Sequence, residues 1–330
     1  MCVHCFIVIA ASANSAQPVL CAGLLVADLF IPPLQRLPAA GELLATTDFL
    51  FDTGGCAANT VTALAKLGVR ATVAGSVGQD IFGDFVLQDL ARKGADTRGI
   101  TRTAQHHTSQ TVILPVTGED RRYIHTFGAN ANFSAGDIDL AMLAQARVFC
   151  VGGYLILPSL RPDELGALFQ SARQNGTYTV LDVVVPGGAT PGGDDAAKSM
   201  AALAQVLPQV DFFLPNTEEA QRLTGEADPH AQAETLLKAG CGTVVITMGA
   251  RGTLVMNAHE TLEQPAFKVN VVDGSGAGDA FAAGLIVGLL EGWSLARSVR
   301  FASAIGASAC TALGCSAGLF TRDEAERFMA

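Results

Sequence analysis

Short apolar, β-branched runs alternate with helical patterns along nearly the whole chain, and this rhythm restricts the fold more than any other feature. Strands are expected over Val19–Val26, Ala71–Val77, Arg147–Val151, Thr177–Leu181, Asp211–Leu214 and Thr243–Thr247. Helices are expected over Asp80–Lys93, Pro162–Gln174, Ala196–Leu207, Thr217–Leu223 and Ala231–Ala239. A strand that reaches the next one through a helix returns parallel to it, so the pattern predicts an α/β fold: a doubly wound, mainly parallel sheet flanked by helices. Two stretches break the rhythm. Glu42–Asp52 and Thr108–Phe127 are strand-like with polar interruptions and contain no helix. In the second, Thr117-Gly118-Glu119-Asp120 separates Gln110–Val116 from Arg122–Phe127, which predicts a hairpin. An edge hairpin of the main sheet is the plainest reading of it.

The 330 residues leave room for one large α/β domain or two modest ones. With 49% apolar and 16% charged residues, the chain suits a sheet covered on both faces. A net charge of −10 without a Lys/Arg run excludes nucleic-acid binding through a basic surface, so a bound anion must be held by local donors. The eight cysteines, at 2, 5, 21, 56, 150, 241, 310 and 315, form no compact framework. Cys21 and Cys150 read as buried free thiols, which suits a reducing cytoplasm. Cys2-Val3-His4-Cys5 has no second ligand pair, so no metal is expected there. Phe6–Ala11 and the small residues after it lack the positive segment of a signal peptide. Residues 1–17 therefore read as an extension, unstructured or upstream of the true start, and 18–330 as the folded domain. The apolar run 280–290 is too short and glycine-interrupted to span a membrane.

Asp273-Gly-Ser-Gly-Ala-Gly-Asp279-Ala-Phe281 follows the β-branched run Phe267–Val272, which reads as a strand, and leads into a helical pattern over Ala280–Leu290. A helix start offers unpaired N–H groups and partial positive charge, and glycines at 274, 276 and 278 let an anion approach the backbone. Asp279 is either a helix-start acid or the acceptor of a proton from a hydroxyl attacking that anion. No Gly-Lys-Ser/Thr follows, so this is not a P-loop. A second cluster, Phe51-Asp-Thr-Gly54-Gly55-Cys-Ala-Ala-Asn59, opens a helix expected over Thr60–Leu67 and ended by Gly68.

Together, from about Val19 to about Glu324, these motifs resemble the ribokinase-like, phosphofructokinase-B type family of sugar and nucleoside kinases. The resemblance implies a ribokinase-like fold with a small β lid, formed by insertions at about 39–53 and 108–128, that closes over the acceptor and serves as a homodimer contact. Gly128-Ala-Asn130 matches the segment where the chain returns to the main domain. The resemblance implies Asp279 as catalytic base, with the amides of Gly276, Ala277 and Gly278 as the anion hole for the phosphoryl group of ATP. Gly54, Gly55, Asn59 and Asp28 would receive the acceptor, Asp28 from the end of the first strand; Asn130 is a further candidate. Asn216 and Glu219, which also read as a helix capping box, would serve magnesium and the triphosphate, Glu219 through water. Thr247 and Gly249 would contact phosphates or ribose, and Gly252 the base. A potassium site would draw on Asp273, the Ser275 carbonyl and the loop near Ala309–Gly318, whose ending departs from the family pattern and leaves activation open. Val184 stands where many relatives carry Asn two places after the aspartate matching Asp182, which weakens the transfer of substrate contacts to that loop.

Cys56 occupies the place where sugar-phosphate kinases of this kind carry lysine, so an already phosphorylated acceptor is not expected. A neutral small sugar phosphorylated on a primary hydroxyl fits best. A nucleoside, or an acidic sugar met by Arg121, Arg122 or His125, is the alternative. A ligand sensor without turnover would conflict with the retained Asp279 and glycines. A dinucleotide-dependent oxidoreductase would need an early Gly-x-Gly-x-x-Gly, for which Gly75-Ser-Val-Gly78 is a poor substitute.

Overall fold

The computed structural model describes residues 18–119, 121–185 and 196–330. The Cys2–Cys5 motif and the 1–17 extension lie outside the described residues. In chain order the elements are β1 (Val19–Gly23), β2 (Val26–Phe30), β3 (Leu50–Gly54), α1 (Cys56–Lys66), β4 (Ala71–Gly78), α2 (Ile81–Arg92), β5 (Asp96–Thr103), β6 (Gln110–Leu114), β7 (Arg122–Thr126) and α3 (Leu140–Gln145). There follow β8 (Val148–Gly152), α4 (Pro162–Gln174), β9 (Tyr178–Leu181), α5 (Ala196–Val206), β10 (Phe212–Phe213), α6 (Thr217–Thr224), α7 (Pro229–Lys238) and β11 (Thr243–Thr247). The chain ends with β12 (Thr253–Asn257), β13 (Thr261–Gln264), α8 (Ala277–Leu290), α9 (Leu295–Ala309) and α10 (Arg322–Met329).

Nine strands form the large sheet in the order β13-β12-β11-β10-β9-β8-β1-β4-β5. Every pairing is parallel except β11–β12 and β12–β13 at one edge. β1 shows why the strands read as unbroken apolar runs: all five residues are buried. Val19 and Cys21 enter one core with residues of α1, α8 and α9, while Leu20 and Ala22 enter the other with residues of α4 and α7. α8 is buried on all sides from Ala280 to Gly288 and crosses α9 closely: a Cβ on Gly284 would lie 2.6 Å from Ala302 Cα.

A separate four-stranded sheet, ordered β3-β2-β6-β7, pairs β2 antiparallel to β3 and parallel to β6. β6 and β7 pair antiparallel as the expected hairpin, with Gly118 at φ +84°. The hairpin lies in this second sheet, not at the edge of the large one. Four other expectations are corrected. Val19–Val26 is not one strand: the chain leaves the large sheet after Gly23 (φ +140°) and begins β2 at Val26. Of Glu42–Asp52, only the part from Leu50 is strand. The helix expected from Thr60 begins at Cys56, so Asn59 falls in its first turn. Phe267–Val272 is not a strand; Val272 donates its N–H to Cys310 O at 2.8 Å, at the end of α9, in place of a neighbouring strand.

Candidate active site

The start of α8 is shaped by Gly276, which sits at φ +72° and caps the helix. A side chain there would be strained, and its Cβ would lie 2.8 Å from Cys315 Cβ. At Gly278, by contrast, an added Cβ meets nothing within 4 Å, so the approach to the first turn is open. The Ala277 N–H is turned towards Gly274 O at 3.4 Å, and the next amides lie in the turn where a helix has no acceptor for them.

Asp279 stands in this first turn and faces α1. Its Oδ2 accepts the side-chain amide of Asn59 at 2.8 Å. Burial raises its pKa to about 6, against the lowering influence of hydrogen bonds from Asn59 and Cys56. Asp182, just past β9, accepts the Gly153 N–H at 3.2 Å. Burial, together with the charges of Asp279 and Glu219, drives its pKa well above the carboxylate range. Cys56, Asp182 and Asp279 bring their ligand atoms within 4.8 Å of one another, and burial pushes the Cys56 thiol up. Sequence reasoning underweighted Asp182 and Cys56. The signal for Asp182 was its position at the carboxyl end of a parallel strand, where open α/β sheets bind ligands.

Asp28 does not stand at the end of the first strand. It lies in the middle of β2, opposite Asp52 on β3 and Thr111 on β6. It is buried, and that burial raises its pKa to about 7, opposed by the Thr111 hydroxyl and reinforced by Asp52 and Asp279. Gly54 must be glycine: a Cβ would sit 1.8 Å from Asp28 Oδ2. Gly55, at φ +95°, passes so near Leu24 that a Cβ would lie 2.4 Å from its carbonyl oxygen. Asp28, Gly54, Gly55 and Asn59 are thereby gathered on one side of Asp279. Asn130 is fully buried and holds the backbone of Leu25, donating to its O at 2.9 Å and accepting its N–H at 3.2 Å. Its amide therefore organises the crossing from β1 to β2.

Beside Asp279, a cleft is walled by Cys56, Asn216, Glu219, Thr247, Asp182 and the loop Gly274–Asp279. Asn216 and Glu219 form the capping box of α6, each side chain accepting the other's N–H at 2.9 Å. Burial raises the Glu219 pKa to about 7. Gly249 (φ +56°) and Gly252 (φ +96°) shape the turn after β11. A Cβ on Gly252 would strike Gln264 O at 2.1 Å, so the observed task of that glycine is to admit the end of β13.

Asp273 and Ser275 do not fit a monovalent cation. Arg121, from the hairpin turn, forms an ion pair with Asp273 and also donates to Ser275 Oγ. Asp273 Oδ1 further accepts the Ser275 N–H at 3.0 Å, and Oδ2 accepts the Gly314 N–H at 3.0 Å. Nothing in the sequence signals this contact, because it joins residues 152 positions apart.

A cleft at the glycine loop thus reaches a buried carboxylate on a helix start, and Asn59 ties that carboxylate to α1. Residues 16–322 match the model of the pfkB family carbohydrate kinases. The chain belongs to this family, whose members are phosphotransferases that use an alcohol group as acceptor. It is 28% identical to the ribokinase of Haemophilus influenzae over 294 residues, 88% of this chain and 91% of that one. It is 27% identical to the 2-dehydro-3-deoxygluconokinase of Bacillus subtilis over 299 residues, 88% of this chain and 90% of the other. Among solved structures it resembles the Arabidopsis thaliana ribokinase complexed with ribose and ATP, with a TM-score of 0.79, 22% identity, and coverage of 96% of this chain and 99% of that one.

Proposed function

We propose that the protein transfers the γ-phosphoryl group of ATP to a primary hydroxyl of a small neutral sugar. The placement of Asp279 carries this reading: a carboxylate in the first turn of α8, held by Asn59 and titrating near neutrality. In the step, the acceptor oxygen forms a bond to the γ-phosphorus as the bond from that phosphorus to the β–γ bridging oxygen breaks. The hydroxyl proton passes to Asp279, and ADP leaves with the bridging oxygen. The amides of Gly276, Ala277 and Gly278 receive the charge that builds on the transferring group.

Asp28 accepts hydrogen bonds from acceptor hydroxyls, and Gly54, Gly55 and Asn59 shape the same well. Thr247 and Gly249 contact the phosphates or ribose, and Gly252 holds the turn beside the base. Glu219 fits magnesium: it is a carboxylate lining the cleft beside Asp279, and a cation there would offset the burial that disfavours its charge. Glu219, through water, and Asn216 would hold that ion, which supplies charge neutralisation on the triphosphate. The small sheet acts as the lid over the acceptor. Its exposed Phe49, Leu50, Phe51, Tyr123 and Ile124 suit a homodimer contact. A cytoplasmic setting supplies ATP and keeps the described cysteines, all free thiols, reduced. No helix among the described residues is long and apolar enough to cross a membrane.

A neutral acceptor is favoured because Asp28, Asp182 and Asp279 surround the junction, with the thiol of Cys56 where a cation would serve a phosphate. An acidic sugar, as the name of the Bacillus relative suggests, would need free basic groups nearby. Arg122 is paired with Glu119, and His125 meets Thr111 at 3.0 Å, its pKa lowered by burial. ATP turnover across pentoses, hexoses, 2-keto-3-deoxy acids and nucleosides tests the reading. The highest kcat/KM should fall on a neutral sugar; a nucleoside or acid at the top of the series sinks it.

A further inference from the structure

Arg121 leaves the small sheet at the turn between β6 and β7 and meets the loop that carries the proposed anion hole. Its Nη1 donates to Asp273 Oδ1 and to Ser275 Oγ. Its Nη2 passes over Gly274, 3.6 Å from where a side chain would begin, and the guanidinium carbon lies 5.9 Å from the centre of the Tyr123 ring. The Asp273 side chain is only 2% exposed, and that of Arg121 26%. Both Asp273 oxygens are committed to donors: the guanidinium, the Ser275 N–H and hydroxyl on one, the Gly314 N–H on the other.

A bound hard cation needs several oxygen lone pairs converging on one centre. Here the lone pairs of the central carboxylate point at N–H and O–H groups. We propose that Arg121 is a positioning residue that serves as the built-in cation of the loop 273–278, standing against Asp273 in place of a monovalent metal ion.

Two effects follow from one contact. An incoming triphosphate would otherwise meet two carboxylates, Asp273 and Asp279, on the same loop; the guanidinium neutralises the first. The bridge to Ser275 also fixes the residue that leads into Gly276, so the convergence of the amides depends on the hairpin being seated. A buried carboxylate stripped of its partner is strongly disfavoured, which makes the guanidinium a persistent part of the loop.

The inference rests on the anion-hole reading, and the test separates the two. Turnover of the full chain is measured with its best acceptor in KCl, NaCl and choline chloride at equal ionic strength, for the unsubstituted protein and for Arg121→Ala and Arg121→Lys. The unsubstituted protein should give one rate in all three salts, and calorimetry should give one affinity for a non-hydrolysable ATP analogue. Arg121→Ala in choline should lose about tenfold or more in kcat, with acceptor KM moved less than about threefold. KCl should restore part of that loss, and Arg121→Lys should retain most of the rate. A strict potassium requirement in the unsubstituted protein overturns the proposal without any substitution that could unfold it. So does Arg121→Ala with undiminished kcat in choline. Asp279→Asn keeps Arg121 and should be inactive in every salt; if it turns over normally, the anion-hole reading has failed instead.

Discussion

The side-chain amide of Asn59 donates to Asp279 Oδ2 across 2.8 Å, linking the first turn of α1 to the first turn of α8 over 220 positions of sequence. The bond fixes one carboxylate oxygen, and the Cys56 thiol is a second hydrogen-bond partner of the same carboxyl. The bond to Asn59 also lets a single asparagine set the orientation of the proposed base.

Asp279→Asn should cut turnover by about 10²- to 10⁴-fold, the range that a general base supplies. The substitution keeps the shape and the Asn59 contact but cannot take a proton. Acceptor affinity by calorimetry should stay within about threefold. Loss of binding together with turnover would assign Asp279 to the acceptor well instead.

The raised pKa values give a pH dependence of definite sign. Asp279 titrates at about 6 and Asp28 at about 7, both above the ordinary carboxylate value of 3.8. kcat/KM should therefore climb from pH 5 to a plateau above about 8, as these groups lose their protons. Stability runs the other way. A carboxyl with a raised folded pKa contributes fully below its ordinary value, and that contribution is lost as pH rises through the folded one. At pH 8 the inactive Asp279→Asn should consequently melt a few degrees higher than the unsubstituted protein in differential scanning calorimetry.

Two neighbouring glycines should respond differently to alanine. Gly276→Ala places a Cβ 2.8 Å from Cys315 at φ +72°, at a cost of about 1–3 kcal/mol, and should lower both the melting temperature and kcat. Gly278→Ala meets nothing within 4 Å and should leave the melting temperature undiminished. Any loss of turnover in Gly278→Ala then reports on anion access. Equal destabilisation by the two would contradict the described geometry of the loop.

Asn130→Ala should destabilise by about 1–3 kcal/mol in urea titration, because it leaves the N–H and C=O of Leu25 buried without partners. A neutral result would mean that water or a shifted backbone replaces the amide.

Charge on the exposed face of the small sheet should break the proposed dimer. Ile124→Asp, at a side chain 64% exposed, should move the protein to monomer mass in light scattering. A monomer before substitution would remove that assignment.

Much of this fold was legible because periodicity and punctuation are local. The bounds of α4 and β11 fall where Pro162 and the β-branched run at 243–247 place them. The hairpin followed from the turn residues around Gly118. What periodicity does not carry is which sheet a strand joins. Residues 19–26 read as one strand, yet the break at Leu24 and Leu25 ends β1 and sends Val26 into β2 of the other sheet. Phe267–Val272 has strand composition, but Val271 and Val272 are 69% and 63% exposed and find only the end of α9. At the site, the glycine motifs marked the loop at the start of α8 because close backbone approach demands glycine. The contact of Arg121 with Asp273 stayed hidden because the two are 152 positions apart and no local pattern marks the pair.

The Leu24–Leu25 step has a mechanical consequence. It places Asp28 and Asp279 on opposite leaves of one crease, the first on the small sheet and the second on the helix layer of the large one. In the proposed closure of the small sheet as a lid, Asp28 and the guanidinium of Arg121 would travel together, while Asp279 would stay with the helix layer of the large sheet. Placement of the acceptor and electrostatic readiness of the loop would then be governed by the same swing.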